Sequence, residues 1–584
     1  MLESPTATTH QSPSLKKEPK GTKLSREQRH LWFVITLLCF LLSIIGFDHG
    51  EIQPWDEGLY ALRARAILDH PEAFWDQTPY AIGGSYSASA PPLSVWAMAA
   101  AMHLIGETPF AVRLFSILCH LLSLLLVFAL ARQIVSFPIA ILAPIFLTIT
   151  TLWNTYARQG MTDVPVITFV LLALFALLRL RNRPLSAATG WGVLFAIANG
   201  AALLTKYAIS LLPAAFLLYA LFDPAFRGKR GLAIAALLFG ILPAALWYGT
   251  MLANYPDHFS AVLRLPQLTT TVENNSRQWW YYANQLLIAN PLFILAAPPI
   301  AVIARSWRRR SLLLRLLFLW VVAGSVVLSL SATKMPHYSV FVIPPLLLLS
   351  LYGLELLRRS LLSPRWQWIL LFGSFLVLWW ALVPSLRTAL RSGDWHSSTL
   401  LFASFAFWII LSATTFPKDV LQQVGSRLHA IAVPVLIILL FFRIASINAT
   451  SSQHLTSGAR LTAKVLTRIP ATRIGYVYHH HNPADQWNPQ LQWYLQRPPS
   501  FWDRFSKFPL HRTDPVQILL AIQHIPDSLF VLYYALTGET QHTRLVLRAL
   551  SKDRTLLLAT RNYFVFGPRK TSKNIQQVRW QTGS

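Results

Sequence analysis

About thirteen runs of roughly 20 mostly apolar residues dominate this 584-residue chain, each long enough to cross the hydrocarbon core of a bilayer as a helix. In lipid every backbone amide must be satisfied within its own segment, so a helical bundle is the fold open to most of the sequence. The runs begin near Leu31, Ala111, Pro138, Val164, Thr189, Ala208, Leu232, Leu286, Leu312, Tyr338, Gln367, Leu400 and His429. A further candidate, Pro91 to Ile105, is short, opens on Pro91-Pro92 and carries His103; it reads better as a helix lying along the interface. The expected fold is mainly α: a polytopic membrane protein of about 13 transmembrane helices, with interfacial helices in the first external loop and a small C-terminal external α/β domain.

Charge orients this bundle. A formal charge of +27 would point to nucleic acid in a soluble chain, but here much of the Lys and Arg lies in short links between apolar runs, where it sets topology. The tail before the first run carries Lys16, Lys17, Lys20, Lys23, Arg26 and Arg29 and is held in the cytoplasm by the positive-inside rule. If the Pro91 segment does not cross, Arg179/Arg181/Arg183, Arg227/Lys229/Arg230, Arg305/Arg308/Arg309/Arg310 and Arg358/Arg359/Arg365 all share that side. If it crosses, all four clusters fall outside. Their agreement favours thirteen spans in a plasma (inner) membrane, with the N-terminus cytoplasmic and the C-terminus external. Residues 1–28, rich in Ser, Thr, Pro and Lys, are expected to be a disordered cytoplasmic tail. Residues 29–448 form the transmembrane domain, with 48–110 as its first external loop, and 449–584 the external domain. The Leu31 run follows a basic stretch but precedes no clear small-x-small cleavage site, so it reads as a signal anchor. Cys39 and Cys119 lie in apolar runs and have no reason to pair.

Under this topology the polar loops share one face, and the residues suited to chemistry lie there. Asp56 and Glu57 open the stretch Trp55-Asp56-Glu57-Gly58-Leu59-Tyr60-Ala61-Leu62-Arg63, whose spacing puts Tyr60 and Arg63 on a helical face behind an acidic N-terminus. A carboxylate at the membrane boundary can take a proton from an incoming hydroxyl or amine; an ordinary helix-capping acid fits the same position. Asp163 follows the third span and shares that face, again as a catalytic acid or a cap. Lys206 and Lys334 end outward spans, against the usual bias of cations toward the cytoplasm, which invites an anionic ligand such as a lipid phosphate; snorkelling to headgroups is the alternative. Pro336-His337-Tyr338 adds a rigid turn with two donors for phosphate oxygens. Arg277, beside Trp279-Trp280-Tyr281-Tyr282, can meet a phosphate or a sugar hydroxyl, while the aromatics suit the interfacial belt. His479-His480-His481 has no spaced partners and reads as a solvated turn.

Together these segments resemble the integral-membrane glycosyltransferases of the C-type fold, in particular the branch containing the lipid A aminoarabinose transferase and the dolichyl-phosphate-mannose protein mannosyltransferases. The resemblance runs from about Trp55 to Tyr352. It implies a catalytic-base position at Asp56, with Glu57 beside it, and a second acid at Asp163. It also implies that Thr205-Lys206 and Lys334, Pro336, His337 and Tyr338 hold the phosphate of a polyprenyl-phosphate sugar. Where relatives commonly read Glu-Lys-Pro-Pro in the first external loop, this chain has Ser89-Ala90-Pro91-Pro92.

The expected function is transfer of a sugar from a polyprenyl-phosphate-linked donor to a lipid, glycan or protein acceptor on the external face, with inversion. A divalent metal ion held by Asp56 and Asp163, with Glu57, is compatible with the carboxylates, and no nucleic-acid partner is expected. The rivals are a transporter or flippase of a lipid-linked sugar, and an envelope receptor or assembly factor. Transporters place ionisable groups near the midplane and often show internal repeats, and neither feature is visible here.

Overall fold

The computed structural model describes residues 24–358, apart from 46, 48–49, 82–89, 207–208, 258–277 and 332–333, and then 458–468, 474–478, 488–495, 505–509, 529–533, 541–560 and 562–569. Arg277, the His479 tract and the runs expected from Gln367, Leu400 and His429 lie outside the described residues.

The chain opens with α1 (Arg26–Ile44), whose Ser25 and Gln28 form a reciprocal cap at its N-terminus. The first long loop then contributes α2 (Asp56–Asp69) and α3 (Leu93–Ile105). Next come α4 (Pro109–Ala131), the bent series α5 (Phe137–Ala140), α6 (Leu142–Ile149) and α7 (Thr151–Ala157), α8 (Asp163–Asn182) and α9 (Leu185–Leu203). They are followed by α10 (Leu212–Ala220), α11 (Arg230–Asn254), α12 (Tyr281–Ala289), α13 (Ala297–Arg305), α14 (Leu312–Leu330) and α15 (Ile343–Arg358). Among the described residues seven helices are long and apolar enough to cross a membrane, or nine if each bent pair counts as one span. The expected thirteen is therefore not reached among them. α3, at 13 residues, is too short to cross, as its sequence indicates.

The run from Ala208 differs most from expectation. It yields a 3-residue 3-10 turn and the 9-residue α10, well below the usual spanning length. Even so, it carries the chain from one end of the bundle to the other. Lys206, just before it, pairs with Asp163 at the first residue of α8, and Asp223, just after it, pairs with Arg181 in the last turn of α8. At about 1.5 Å per residue those two ends are roughly 30 Å apart.

The two ends of the bundle are chemically distinct. At one, Asp223 accepts from Arg181 at 3.1 Å and Arg315 at 3.5 Å. Lys229 there donates to the carbonyls of Leu180 and Arg181 at 3.0 and 2.7 Å, where a cation complements the helix dipole. Glu355 accepts from the Ser136 hydroxyl at 2.6 Å. Asp56, Asp163, Lys206 and His337 lie at the opposite end. Where the bundle is tightest, small residues let backbones touch: a Cβ on Gly240 would meet the Ala196 carbonyl at 2.6 Å, and one on Gly200 the Gly240 carbonyl at 2.7 Å.

Beyond the bundle, α16 (Ala459–Arg468), β1 (Ile474–Tyr478), α17 (Pro489–Leu495), β2 (Phe505–Pro509), β3 (Leu529–Tyr533), α18 (Gln541–Asp553), β4 (Arg554–Ala559) and β5 (Tyr563–Arg569) build an α/β unit. Its sheet runs β2-β1-β3-β5-β4, parallel across the first three strands and antiparallel beyond. β1 and β3 are buried along their whole length, as expected of parallel strands covered on both faces.

Replacing Gly240 with Val should force α9 and α11 apart and cost about 1–3 kcal/mol, lowering the thermal midpoint of the detergent-solubilised chain. Gly249→Ala, where an added Cβ meets nothing within 4 Å, should leave it unchanged.

Candidate active site

The site is assembled from the start of α2, the turn before α8, the end of α9 and the stretch after α14. Asp56 is the first residue of α2, where an acid suits the unpaired amides. The preceding Trp55 has φ +66°, a region few side-chain-bearing residues occupy without support from their surroundings. The Asp56 carboxylate is partly exposed, and among the described residues nothing hydrogen-bonds or ion-pairs with it.

Glu57, one residue on, faces the other way. It is fully buried and accepts from Arg113 Nε at 2.8 Å and Nη2 at 3.2 Å, from the Gly160 amide at 2.7 Å and from the Gln53 amide at 2.5 Å. Arg113, in the first turns of α4, spends its remaining donors on the carbonyls of Phe47, Gly50 and Glu51 at 2.7, 3.2 and 2.7 Å. A side chain at Gly160 would come within 2.6 Å of Val112 and 3.3 Å of Glu57, so the turn before α8 closes on this pair only because the residue is glycine.

Asp163, also buried, accepts from Lys206 Nζ at 2.7 Å through one oxygen; the other has no partner among the described residues. Burial alone would lower the Lys206 pKa, but the Asp163 carboxylate, with Tyr60 and Tyr338, outweighs it and holds the ammonium above the ordinary lysine value. Lys206 Nζ lies 5.8 Å from the Tyr338 ring centre. The His337 ring stands edge-on to Tyr338 and Tyr156, with centres 4.5 and 5.8 Å away. Asp56, Asp163 and Lys206 all act electrostatically on His337, and Asp56 also reaches Tyr60 and Tyr156. The Tyr60 hydroxyl bonds Thr162, and burial together with the Asp56 charge raises its pKa.

Asp56, Tyr60, Asp163, Lys206, His337 and Tyr338 thus converge on one place. Lys334 lies at the same end, buried, with its ammonium turned back to the Ser331 carbonyl at the end of α14. Arg63 sits under the loop before α3, donating to Gln77 at 2.7 Å and to the Ala90 carbonyl at 2.8 Å. Its Nε and Nη1 lack acceptors among the described residues, and burial brings its pKa down to about 10. Arg113, Gly160, Tyr156 and Thr162 are functional neighbours that the sequence reading passed over. Arg113 alone carried a signal, as an ionisable residue inside an apolar run.

The described residues bear on the expected metal ion only in part. Among the described residues no three His, Cys, Asp or Glu side chains are placed to hold an ion. Glu57 pairs with Arg113 and one Asp163 oxygen with Lys206.

The fold is that of the C-type integral-membrane glycosyltransferases. The comparisons fall in the branch that the sequence resembles. Residues 89–248 match the family model described as dolichyl-phosphate-mannose-protein mannosyltransferase, a segment that contains Asp163 and Lys206. ArnT from Cupriavidus metallidurans in the apo state is 18% identical and superposes with a TM-score of 0.65 over 92% of this chain and 98% of its own. The same protein bound to undecaprenyl phosphate is 19% identical, with a TM-score of 0.63 over 93% and 98%. No curated protein sequence matches the chain.

Arg113→Ala would leave Glu57 buried without its cation, a loss of about 3–5 kcal/mol that thermal unfolding should report as a collapse of the folded population, whereas Glu107→Ala, which breaks the more exposed pair with Arg65, should change little. Lys206 bears a second prediction. Its folded pKa is raised, so its stabilising contribution is complete below the ordinary value of 10.5 and is lost only as pH rises through the folded value. Lys206→Met should therefore destabilise the chain by the same margin at pH 7 and pH 9; a gap that narrows at pH 9 would contradict the assignment.

Proposed function

We propose that the chain transfers a sugar from a polyprenyl-phosphate-linked donor to a lipid, glycan or protein acceptor, with inversion at the anomeric carbon. One observation carries this reading: of the acids singled out at the site, Glu57 pairs with buried Arg113 and Asp163 with partly buried Lys206, while Asp56, among the described residues, is left unpaired and partly exposed near Lys206, His337 and Tyr338.

Asp56 acts as the general base. It takes the proton of the acceptor hydroxyl or amine as that atom attacks the anomeric carbon. The bond from carbon to phosphate oxygen breaks, and the polyprenyl phosphate leaves with the electron pair. Negative charge grows on that phosphate, where Lys206, Lys334, His337 and Tyr338 stabilise it in a partly desolvated setting. Lys334 turns from the Ser331 carbonyl to serve this role. Asp163 orients Lys206, Tyr60 and Arg63 shape the acceptor side, and Arg277 contacts the donor. Glu57 is a positioning residue rather than a reacting one. The likeness to a protein captured with undecaprenyl phosphate supports a polyprenyl carrier. The basic clusters at the opposite end favour a cytoplasmic location for that end; on this reading the site and the 449–584 domain face the external side of a plasma (inner) membrane. The ionisable groups of the site lie at helix ends rather than the midplane, which favours an enzyme over a transporter.

Mass spectrometry of envelope lipids, glycans and proteins from cells carrying the wild type, Asp56→Asn or no copy tests this. A product heavier by one sugar should appear with the wild type alone. Equal amounts with Asp56→Asn would remove Asp56 from the base role, and no difference among the three strains would contradict transfer itself.

A further inference from the structure

We infer that the C-terminal α/β unit is a positioning element of the active site that clamps α2, and Asp56 with it, against the bundle; the inference rests on Asp56 being the general base. The contacts between the unit and the first long loop concentrate between Glu51 and Arg65, the stretch that carries Asp56. The Glu51 carboxylate accepts the amides of Gly458, Ala459 and Arg460 at 3.0, 3.3 and 3.0 Å, capping α16 from another part of the chain. The Ile52 amide donates to the Tyr494 hydroxyl at 2.8 Å. Arg65 donates to the Trp493 carbonyl at 3.2 Å and lies 4.1 Å over its ring. Trp493 is buried in one apolar cluster with Ala61, Ala64, Val95 and Met98.

The closest approach is two residues from Asp56. A Cβ on Gly58 would stand 2.9 Å from Pro489 Cβ and 3.0 Å from the Gln490 amide nitrogen, so α17 rests on the backbone of α2. α17 is itself anchored to the sheet. The Asn488 amide donates to the Tyr476 hydroxyl at 3.0 Å, and its oxygen accepts from the Tyr563 hydroxyl at 3.0 Å and the Leu491 amide at 3.1 Å. A continuous line of contact thus runs from β1 and β5 through Asn488 to Gly58.

On its other side α2 is held by Glu57 on Arg113 and Gly160. Between these two grips Trp55 keeps its φ of +66°, a conformation that persists only where the surroundings over-determine it. Loosening one grip lets the first turn relax and carries the carboxylate off line. A shift of about 1 Å in a reacting group can cost on the order of a hundredfold in rate.

The test uses the full chain in lipid nanodiscs, with Tyr494→Phe, Glu51→Ala and Gly58→Leu as variants and Lys464→Ala, on the exposed face of α16, as control. Two quantities are read: steady-state sugar transfer, and hydrogen exchange of the amides of residues 56–69. The expected result is a fall in kcat of about tenfold or more with the donor KM held within about twofold, accompanied by faster exchange across α2 and no change for Lys464→Ala. Unchanged exchange in all three variants would overturn the inference, as would a donor KM that rises in step with the loss of rate. If the wild type transfers no sugar while exchange still quickens in the variants, the proposed transfer fails and the clamp stands.

Discussion

A buried carboxylate and a buried guanidinium hold the site together. Removing two charges from water is costly unless every remaining donor and acceptor is satisfied, and at Glu57 and Arg113 that condition is met. The pair shares two hydrogen bonds, Glu57 accepts two backbone amides, and Arg113 fills three carbonyls of the preceding loop. The bonds draw α2, α4 and the turn before α8 to one point. Because Glu57 follows Asp56 directly, fixing the first fixes where the second can point.

Around that point the charges are arranged asymmetrically. Asp163 and Lys206 neutralise each other, and His337 and Lys334 lie within the same end of the bundle. Asp56, at the start of α2, is near enough for its charge to reach His337. A phosphate suits the cationic side, and a group about to lose a proton suits the acidic side. The far end of the bundle is built differently, with Asp223 outnumbered by Arg181, Arg315 and Lys229. One end of the molecule thus gathers acids, cations and aromatic rings, and the other is dominated by cations.

Much of this was legible in the sequence because lipid leaves few alternatives. The apolar runs from Leu31, Ala111, Val164, Thr189, Leu232, Leu312 and Tyr338 each became a helix long and apolar enough to span a bilayer. The short Pro91 segment became α3, which at 13 residues stays below the usual spanning length. The gathering of Asp56, Asp163, Lys206 and His337 followed from parity. What escaped were features set by tertiary contact. Nothing local distinguishes Asp56 from Glu57, and only the position of Arg113 decides which of the two is spent. Gly160 and Gly58 matter for what packs against them, from 103 residues away in the first case. The bend in the run from Leu286 falls at Asn290-Pro291, a helix break that the sequence does carry locally.

The most direct measurement is an experimental structure of the full chain with undecaprenyl phosphate bound. The phosphate should be found against Lys206, with Lys334 released from the Ser331 carbonyl, His337 and Tyr338 within reach of its oxygens, and Asp56 facing it across an open gap. A phosphate seated at the Arg181 and Arg315 end, or Asp56 and Lys206 opening into separate clefts, would contradict the proposed chemistry.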